Sequence, residues 1–328
     1  MAADPSPVVG RLAPSPTGAQ HIGNASTFLI AWFSLRKSGG QIILRMEDID
    51  SPRIKFGAAE QAIADLRWLG IDWDEGPDCG GPHAPYVQTE RMPHYQEVLR
   101  SLQSKEQVYP CFCTRSDVAA AASAPHVGQE GPRYPGTCSS NSVQDASDSS
   151  AQGRTYSWRF RTQSGSPSDQ FEDLLLGHCQ CNLHDELGDF VVFKNDGTPA
   201  YQLAVVADDH AMKVTEVIRG ADLLPSTFRQ RALYQHLGWT PPTFGHAPLI
   251  VGPDGRRLAK RHGDTRLATL REQGVRPERL IGWLAFTHGW IEQKEAISLS
   301  ELLPHFSLAT IKKGPQVFAP ADLEWLFK

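Results

Sequence analysis

The N-terminal part of the chain constrains the fold most tightly. Val8–Pro14 carries an apolar run that predicts a buried strand ending in the loop Pro14–Gly18. From His21 onward, apolar residues cover more than one face of a helical pattern, which predicts a buried helix that ends at Gly39. A second apolar strand follows at Gln41–Met46. A strand, a helix and a strand at this spacing predict a right-handed βαβ unit in a parallel sheet.

The remainder of the chain alternates between short strands and helices. We predict helices over Ala58–Leu69, Arg91–Leu102 and Leu223–His236, and strands over Ser157–Arg161, Phe190–Lys194, Tyr201–Val206, Val214–Ile218 and Pro248–Val251. Asn195-Asp-Gly197 predicts a hairpin between two of these strands. The small, polar stretch Ser139–Gly153 predicts a flexible loop. From Thr265 the pattern is mostly helical.

Composition excludes several classes of protein. The chain is 40% hydrophobic and 21% charged, as globular proteins are, and its densest apolar run, Phe28–Phe33, is too short to span a bilayer. The first ten residues resemble no secretory signal. A net charge of −5 excludes a generally basic coat for nucleic acids, although a local basic patch remains compatible with RNA binding. We therefore expect a cytoplasmic protein without a membrane partner.

Two distant segments indicate a site for a polyphosphate. Pro14–Gly18, followed by the sequence HIGN from His21, lies where a strand gives way to a helix, and a helix N-terminus attracts phosphate. A lone histidine there is more often a helix cap, so the second segment matters. RRLAKRHGD, at residues 256–264, forms a cationic loop in which Lys260 suits the charge that develops on a pyrophosphate leaving group.

Together these motifs resemble those of a known family. PSPTG with HIGN, and RLAKR, are similar to the HIGH and KMSKS signatures of class I aminoacyl-tRNA synthetases, and APSPTG, RMEDID and KRHGD are similar to the glutamyl branch. Three positions depart from the signatures, Asn24, Arg257 and Ala259. The resemblance implies an α/β protein with a Rossmann-type class I synthetase core, an inserted zinc-type subdomain and a short C-terminal helical domain.

The resemblance also implies domain boundaries. Residues 1–110 would form the first half of the Rossmann catalytic domain and residues 186–250 its second half. Residues 111–185 would be the inserted acceptor-type zinc subdomain. Residues 251–328 would hold the KMSKS-like loop and a helical stem-contact domain.

Individual roles follow from the same resemblance. His21 and Lys260 would be catalytic, and ATP would be bound, together with Mg²⁺, by Gly18, His21, Gly23, Asn24, Arg257, Leu258 and Lys260. L-Glutamate would be bound by Arg11, Ser15, Glu47, Tyr201 and Arg219. Arg11 would pair with the γ-carboxylate and select against glutamine, and Glu47 would pair with the substrate ammonium group.

The cysteines add a metal hypothesis. Three cysteines and a tyrosine resemble the structural Zn²⁺ site found in the shorter members of this family: Cys111, Cys113, Tyr134 and Cys138. His126 competes with Tyr134 as a ligand, because the gap after Cys113 is long. We expect the second pair, Cys179 and Cys181, to be buried thiols rather than a metal site.

The end of the sequence favours one branch of the family. Full-length glutamyl-tRNA synthetases carry a further anticodon-binding domain, whereas this sequence stops at Lys328, and it reads RGADL at residues 219–223. It thus resembles the glutamyl-Q tRNA(Asp) synthetases, which implies a monomer that activates glutamate with ATP and transfers it to queuosine of tRNA(Asp). Two alternatives stay open: a truncated synthetase that charges the 3′ end of tRNA(Glu), and an inactive nucleotide-binding regulator.

Overall fold

The computed structural model describes residues 7–16, 19–49, 54–121, 133–151, 153–256, 258 and 264–328. In this part of the chain the strands are β1 (Val9–Leu12), β2 (Gln41–Leu44), β3 (Val108–Cys111), β4 (Ser157–Phe160), β5 (Asp169–Asp173), β6 (Gly177–Cys181), β7 (Phe190–Phe193), β8 (Glu216–Gly220), β9 (Thr243–Ala247), β10 (Ile250–Val251) and β11 (Gln316–Val317). The α-helices in the same residues are α1 (Ile22–Lys37), α2 (Ala58–Trp68), α3 (Met92–Ser104), α4 (Arg115–Ala121), α5 (Val143–Ala151), α6 (Tyr201–Ala211), α7 (Leu224–Leu237), α8 (Leu267–Glu272), α9 (Pro277–His288), α10 (Leu299–Leu302) and α11 (Pro320–Leu326).

A parallel sheet in the order β2-β1-β8-β9 forms the centre of the fold. β1 and β2 pair in register from Val9 opposite Gln41 to Leu12 opposite Leu44, and α1 crosses between them, so the predicted βαβ unit is confirmed. β1 has β2 on one side and β8 on the other. Because the chain leaves β1 for one neighbour and reaches the other much later, the crevice between β1 and β8 is the switch point at which such sheets bind ligands.

The C-terminal helices share a hydrophobic core with the first βαβ unit. The ring of Phe33 on α1 packs edge-on against Trp290 at 5.5 Å and stacks on Phe306 at 5.2 Å. Trp283 of α9 is buried in the same core. β11 also pairs with β10, in parallel. The helices that follow the cationic loop are therefore anchored directly to the helix at whose N-terminus the polyphosphate site was predicted.

A second layer is formed by the chain between α3 and α6. β3, β4 and β7 form an antiparallel sheet, and β5 and β6 form a separate hairpin. Phe160 of β4 stacks on Phe190 of β7 at 5.1 Å, and this core continues into α3, α6 and α7. The antiparallel sheet is thus packed onto the central fold through helices, while the hairpin packs beside β9.

The prediction of a flexible loop at Ser139–Gly153 is wrong, because this stretch contains α5. The backbone N–H and the hydroxyl of Ser142 both donate to Asp145 Oδ2, at 2.7 and 2.8 Å, which caps the first turn. Ala146 is buried in the second core. A cap and one buried small residue therefore order a segment whose composition alone is typical of a loop.

The predicted strand at Tyr201–Val206 is also wrong, because these residues begin α6. Asn195-Asp-Gly197 does reverse the chain in a short hairpin, since Phe193 forms an antiparallel bridge with Pro199 and the Lys194 N–H donates to Thr198 O at 2.7 Å. The arm that follows the turn then enters α6 instead of continuing as a strand. Leu203 to Asp209 are all buried, so α6 lacks the polar face that reveals a helix in a sequence. β9 was not predicted; its centre carries Gly245 and His246, which weaken the strand pattern.

His288, at the end of α9, generates a prediction about stability. Its Nε2 atom lies 2.8 Å from Ser26 Oγ in the core, and burial, with a smaller effect from Lys312, lowers the pKa of His288 to about 4. The unfolded chain takes up this proton near pH 6.5, so lowering the pH from 6.5 towards 4 favours unfolding.

We expect the free energy of unfolding to fall by about 2 to 3 kcal/mol more in the unaltered protein than in a His288→Gln variant, between pH 7 and pH 4.5. Urea denaturation at the two pH values measures the difference. Parallel losses in the two proteins would show that His288 is not the group that titrates.

Candidate active site

A cavity of about 540 Å³ opens at the carboxyl ends of β1 and β8. It brings together the following residues that the sequence analysis singled out: Arg11, Ser15, His21, Gly23, Asn24, Glu47, Tyr201, Arg219 and Leu258. Gly18, Arg257 and Lys260, which were also predicted to belong to the site, lie outside the described residues. Residues that are far apart in the sequence thus line a single cavity at the switch point of the sheet.

The N-terminus of α1 forms one wall of this cavity. His21 caps the helix: its Nδ1 accepts the Gly23 N–H at 3.0 Å, and its own N–H donates to Asn24 Oδ1 at 3.1 Å. A ring that accepts at Nδ1 carries its proton on Nε2, the nitrogen with which it can donate to a phosphate oxygen. The first turn contains no acidic residue that would offset the positive end of the helix. Cap and phosphate donor are therefore compatible roles for His21.

Gly23 is required by this cap. A Cβ atom at position 23 would lie 2.8 Å from His21 Cε1, closer than real Cβ contacts. Gly23 was expected, from the family resemblance, to bind ATP. In the structure, its absent side chain first makes room for the imidazole of His21.

The segment that follows the cationic loop is bound to the entrance of α1. The Ile22 N–H donates to Thr265 O at 3.1 Å, and the Leu267 N–H donates to Gln20 O at 2.9 Å. Leu258, near the start of the loop, lines the cavity. The described flanks of the cationic segment therefore lie beside the helix terminus, which agrees with the expectation that the two segments serve one site.

The wall of the cavity also carries two buried guanidinium groups. Arg11 on β1 and Arg219 on β8 are 5% and 4% exposed, on neighbouring strands. Arg11 Nε lies 3.6 Å from Asp209 Oδ1, whereas within the described part of the chain no carboxylate lies within 4.0 Å of the Arg219 guanidinium. Burial lowers the pKa of Arg219, because desolvation disfavours its charge. A buried cation without a carboxylate partner favours an anionic ligand.

Sequence reasoning missed the charged network beneath this wall. Arg45 is fully buried, and its guanidinium lies 2.9 Å from Glu47 Oε1 and 2.7 Å from Asp209 Oδ1. Asp208 is held from the other side by Arg91, at 2.6 Å. Burial raises the pKa of Glu47, against the opposing effect of Arg45. The motifs RMEDID and PAYQLAVVADD contain Arg45, Asp208 and Asp209, so the signal was present but was read only at Glu47 and Tyr201.

Arg45 generates a prediction about stability. An Arg45→Met variant leaves Glu47 and Asp209 buried beside one fewer positive charge, and we expect it to lose about 3 to 5 kcal/mol of stability. The control is Arg67→Met, which breaks an exposed ion pair with Asp78 and is expected to cost less than about 1 kcal/mol. Urea denaturation measures both. Equal losses in the two variants would contradict a structural role for the buried network.

A candidate metal centre lies at the end of β3. The Sγ atoms of Cys111, Cys113 and Cys138 lie within 4.8 Å of one another, and Tyr134 Oη lies 3.4 Å from Cys111 Sγ and 3.6 Å from Cys113 Sγ. Two thiolates bound to one tetrahedral Zn²⁺ are about 3.8 Å apart, and Cys113 Sγ and Cys138 Sγ are 3.6 Å apart. Arg159 Nε donates to Cys111 Sγ at 3.2 Å and would stabilise a thiolate. The donor set and its spacing therefore fit zinc.

The remaining cysteine prediction concerns β6. Cys179 and Cys181 are both buried and pack against Phe228, and they belong to no cluster of metal-binding side chains among the described residues. His126, the alternative zinc ligand, lies outside those residues.

In the part of the chain that the structure describes, we find no helix long and apolar enough to cross a bilayer.

Comparison with known proteins places the chain in a class. Residues 7–325 match the family described as tRNA synthetases class I (E and Q), catalytic domain. A solved glutamate-tRNA synthetase from Elizabethkingia anophelis superposes with a TM-score of 0.85 at 31% identity, and the match covers 98% of this chain and 70% of that one. The chain belongs to the class I tRNA synthetases of the E and Q type.

Its curated relatives narrow the assignment. The chain is 51% identical over 316 residues to the Glutamyl-Q tRNA(Asp) synthetase of Symbiobacterium thermophilum, covering 95% of this chain and 96% of the relative. The protein of that name from Rhodopirellula baltica is 50% identical, with 90% and 89% covered. Glutamate--tRNA ligase 2 of Syntrophus aciditrophicus is 42% identical, but only 65% of its length is covered. Within its class, the chain belongs to the glutamyl-Q tRNA(Asp) synthetase family, which confirms the predicted resemblance.

Proposed function

We propose that the chain activates L-glutamate with ATP and transfers the glutamyl group to queuosine at the wobble position of tRNA(Asp). The observation that carries the first half is the buried Arg219, which has no carboxylate partner among the described residues and lines the same cavity as the N-terminus of α1. A ligand with a carboxylate would complete this wall. The second half rests on the full-length similarity to proteins named for that acceptor.

The cavity suits this reaction because it offers different groups to the amino acid and to the phosphates of ATP. Arg11 and Arg219 would hold carboxylate oxygens of glutamate, with Ser15 and Tyr201 completing the pocket, and Glu47 would hold the ammonium group. The N-terminus of α1, His21 and Asn24 would hold the phosphates of ATP on the opposite side. The substrates would then approach each other at the crevice between β1 and β8.

The chemistry needs no base from the protein. The α-carboxylate of glutamate is ionised at neutral pH, and its oxygen would attack the α-phosphorus as the bond to pyrophosphate breaks. His21, the helix N-terminus and Lys260 would stabilise the charge that moves onto the phosphates, and Gly18, Gly23, Arg257 and Leu258 would shape their site. Mg²⁺ bound with ATP would neutralise phosphate charge. The acceptor hydroxyl on the RNA would then take the glutamyl group and release AMP.

We propose further that an insertion assigned to residues 111–185 separates Rossmann halves at 1–110 and 186–250, with a helical RNA-contacting domain at 251–328. β3 and β7, at the two edges of these bounds, would go with the insertion, because both pair with β4. Within the insertion, Cys111, Cys113, Tyr134 and Cys138 would hold a structural Zn²⁺ that ties the end of β3 to the chain before α5. The partners would be ATP, L-glutamate and queuosine-bearing tRNA(Asp), and the chain would act as a cytoplasmic monomer.

The acceptor is tested by mapping labelled glutamate on purified tRNAs. We expect ATP–pyrophosphate exchange that depends on glutamate without tRNA, and label on the anticodon of queuosine-bearing tRNA(Asp) after nuclease digestion. The matched control is tRNA(Asp) that carries guanosine at the wobble position, which should accept no label. Label on the terminal adenosine of tRNA(Glu) would indicate a truncated glutamyl-tRNA synthetase, and absence of exchange would indicate a regulator that only binds nucleotide.

The metal assignment predicts about one zinc ion per purified chain, measured by plasma mass spectrometry. We expect a Cys113→Ser variant to lose the zinc, because it removes a thiolate from the cluster. Cys79→Ser is the matched control, since Cys79 is exposed and lies outside the cluster. Equal zinc content in both variants would contradict the assignment.

A further inference from the structure

The guanidinium of Arg219 is held by uncharged neighbours. Its Nη2 donates to Thr227 Oγ1 at 2.6 Å, and its Nε lies 3.5 Å from His246 Nε2. Tyr201 Oη lies 3.5 Å from Nη1, on the side of the cavity. Thr227 and His246 are both completely buried. Since no ion pair fixes this arginine among the described residues, its direction depends on how these two neighbours are themselves oriented.

Thr227 has a single hydroxyl proton to place. Its oxygen accepts from Arg219, so the proton must be donated elsewhere. Two acceptors are within reach: His246 Nε2 at 2.8 Å and Leu223 O at 3.4 Å. The shorter contact selects His246, which requires a lone pair rather than a proton on Nε2.

The other ring nitrogen of His246 is fixed by Asp173. Nδ1 lies 2.6 Å from Asp173 Oδ2, so a ring without a proton on Nε2 donates from Nδ1 to this carboxylate. The second oxygen, Oδ1, accepts the backbone N–H groups of Leu175 and Leu176 at 2.9 Å and of His246 at 3.1 Å. Every proton in the chain from Asp173 to Arg219 therefore has one consistent place.

The charges agree with this assignment. Burial would raise the pKa of Asp173, but the hydrogen bonds from His246 and from three backbone amides hold it below its usual value. Burial lowers the pKa of His246, and the nearby charge of Arg219 lowers it further, against the effect of Asp173. At neutral pH the carboxylate is ionised and the ring is neutral, so the ring can accept hydrogen bonds on the side that faces Arg219.

The series of hydrogen bonds begins outside the central parallel sheet. Asp173 is the last residue of β5, in the hairpin that the Leu174 N–H ties to Phe244 O of β9 at 2.9 Å. His246 lies on β9, and Thr227 lies on α7. Asp173, His246 and Thr227 do not line the cavity that Arg219 lines. They come from three different elements and meet around the Arg219 side chain.

We propose that Asp173, His246 and Thr227 are positioning residues for glutamate binding: Asp173 fixes the tautomer of His246, and His246 and Thr227 hold the Arg219 guanidinium in the direction that receives the substrate carboxylate. This inference rests on the proposed function for the identity of the ligand. The hydrogen-bond chain itself is a property of the free protein.

Thr227 offers a matched pair of variants. Thr227→Val keeps the shape and removes the hydroxyl, and we expect it to raise the KM for glutamate in ATP–pyrophosphate exchange about tenfold or more. The KM for ATP should change less than about twofold, because the helix terminus of α1 is untouched. Thr227→Ser restores the hydroxyl and should recover most of the loss. A general packing defect would instead affect both substrates and would not follow the hydroxyl.

His246 offers a second pair. In Gln the side-chain amide reaches the position of Nε2 and can accept from Arg219, whereas in Asn it reaches only the position of Nδ1 and keeps the bond to Asp173. We therefore expect His246→Asn to raise the KM for glutamate more than His246→Gln does. Thermal unfolding of both variants checks that they are folded to a similar extent.

The tautomer is read directly by ¹⁵N NMR of the histidine ring. We expect the unaltered protein to carry the His246 proton on Nδ1, and Asp173→Asn to shift it towards Nε2, because the asparagine amide can donate to Nδ1. A proton on Nε2 in the unaltered protein, or a Thr227→Val variant with the KM of the unaltered protein for glutamate, would overturn the inference. Failure of the proposed function shows differently, as unaltered protein without glutamate-dependent exchange, and the NMR result does not depend on it.

Discussion

The active site depends on how a set of buried charges is balanced around Arg45. This side chain has no exposed surface, and its guanidinium contacts Glu47 and Asp209 at once. Removing two carboxylates from water is costly unless a well-placed cation offsets the loss. Arg45 provides that cation, and it holds Glu47 in the lining of the cavity and Asp209 beside Arg11. Arg45 itself is not among the residues that line the cavity, so it acts on the site through Glu47 and Asp209.

The charge of Arg219 is not balanced by a carboxylate among the described residues. Arg11 shares Asp209 with Arg45, while the nearest groups to the Arg219 guanidinium are hydroxyls and an imidazole. Neutral partners can orient a guanidinium without neutralising it, which leaves its charge for a ligand. The cavity thus combines the carboxylate of Glu47 with the two guanidinium groups of Arg11 and Arg219. An acidic amino acid carries the complementary set, one ammonium group and two carboxylates, which is why we propose glutamate as the ligand.

Elements whose signals are local in the sequence were predicted correctly, whereas elements that depend on tertiary packing were not. The βαβ unit and the start of α1 were predictable because strand length, the cap at His21 and the stop at Gly39 are local features. α6 was mistaken for a strand because its buried surroundings removed the polar face by which a helix is recognised. α5 was missed because one cap and the burial of Ala146 outweigh a composition typical of loops.

The sequence by itself determined which chemical groups are present and the order of the motifs that carry them, and this was enough to indicate the family and the residues of the cavity. Only the tertiary structure decided which charges are paired: Asp209 with Arg45 and Arg11, Asp173 with His246, and no carboxylate with Arg219 among the described residues. The reason is physical. Hydrogen bonds and buried ion pairs act over a few ångströms and depend on the local dielectric, so their partners are settled only when distant segments close around them.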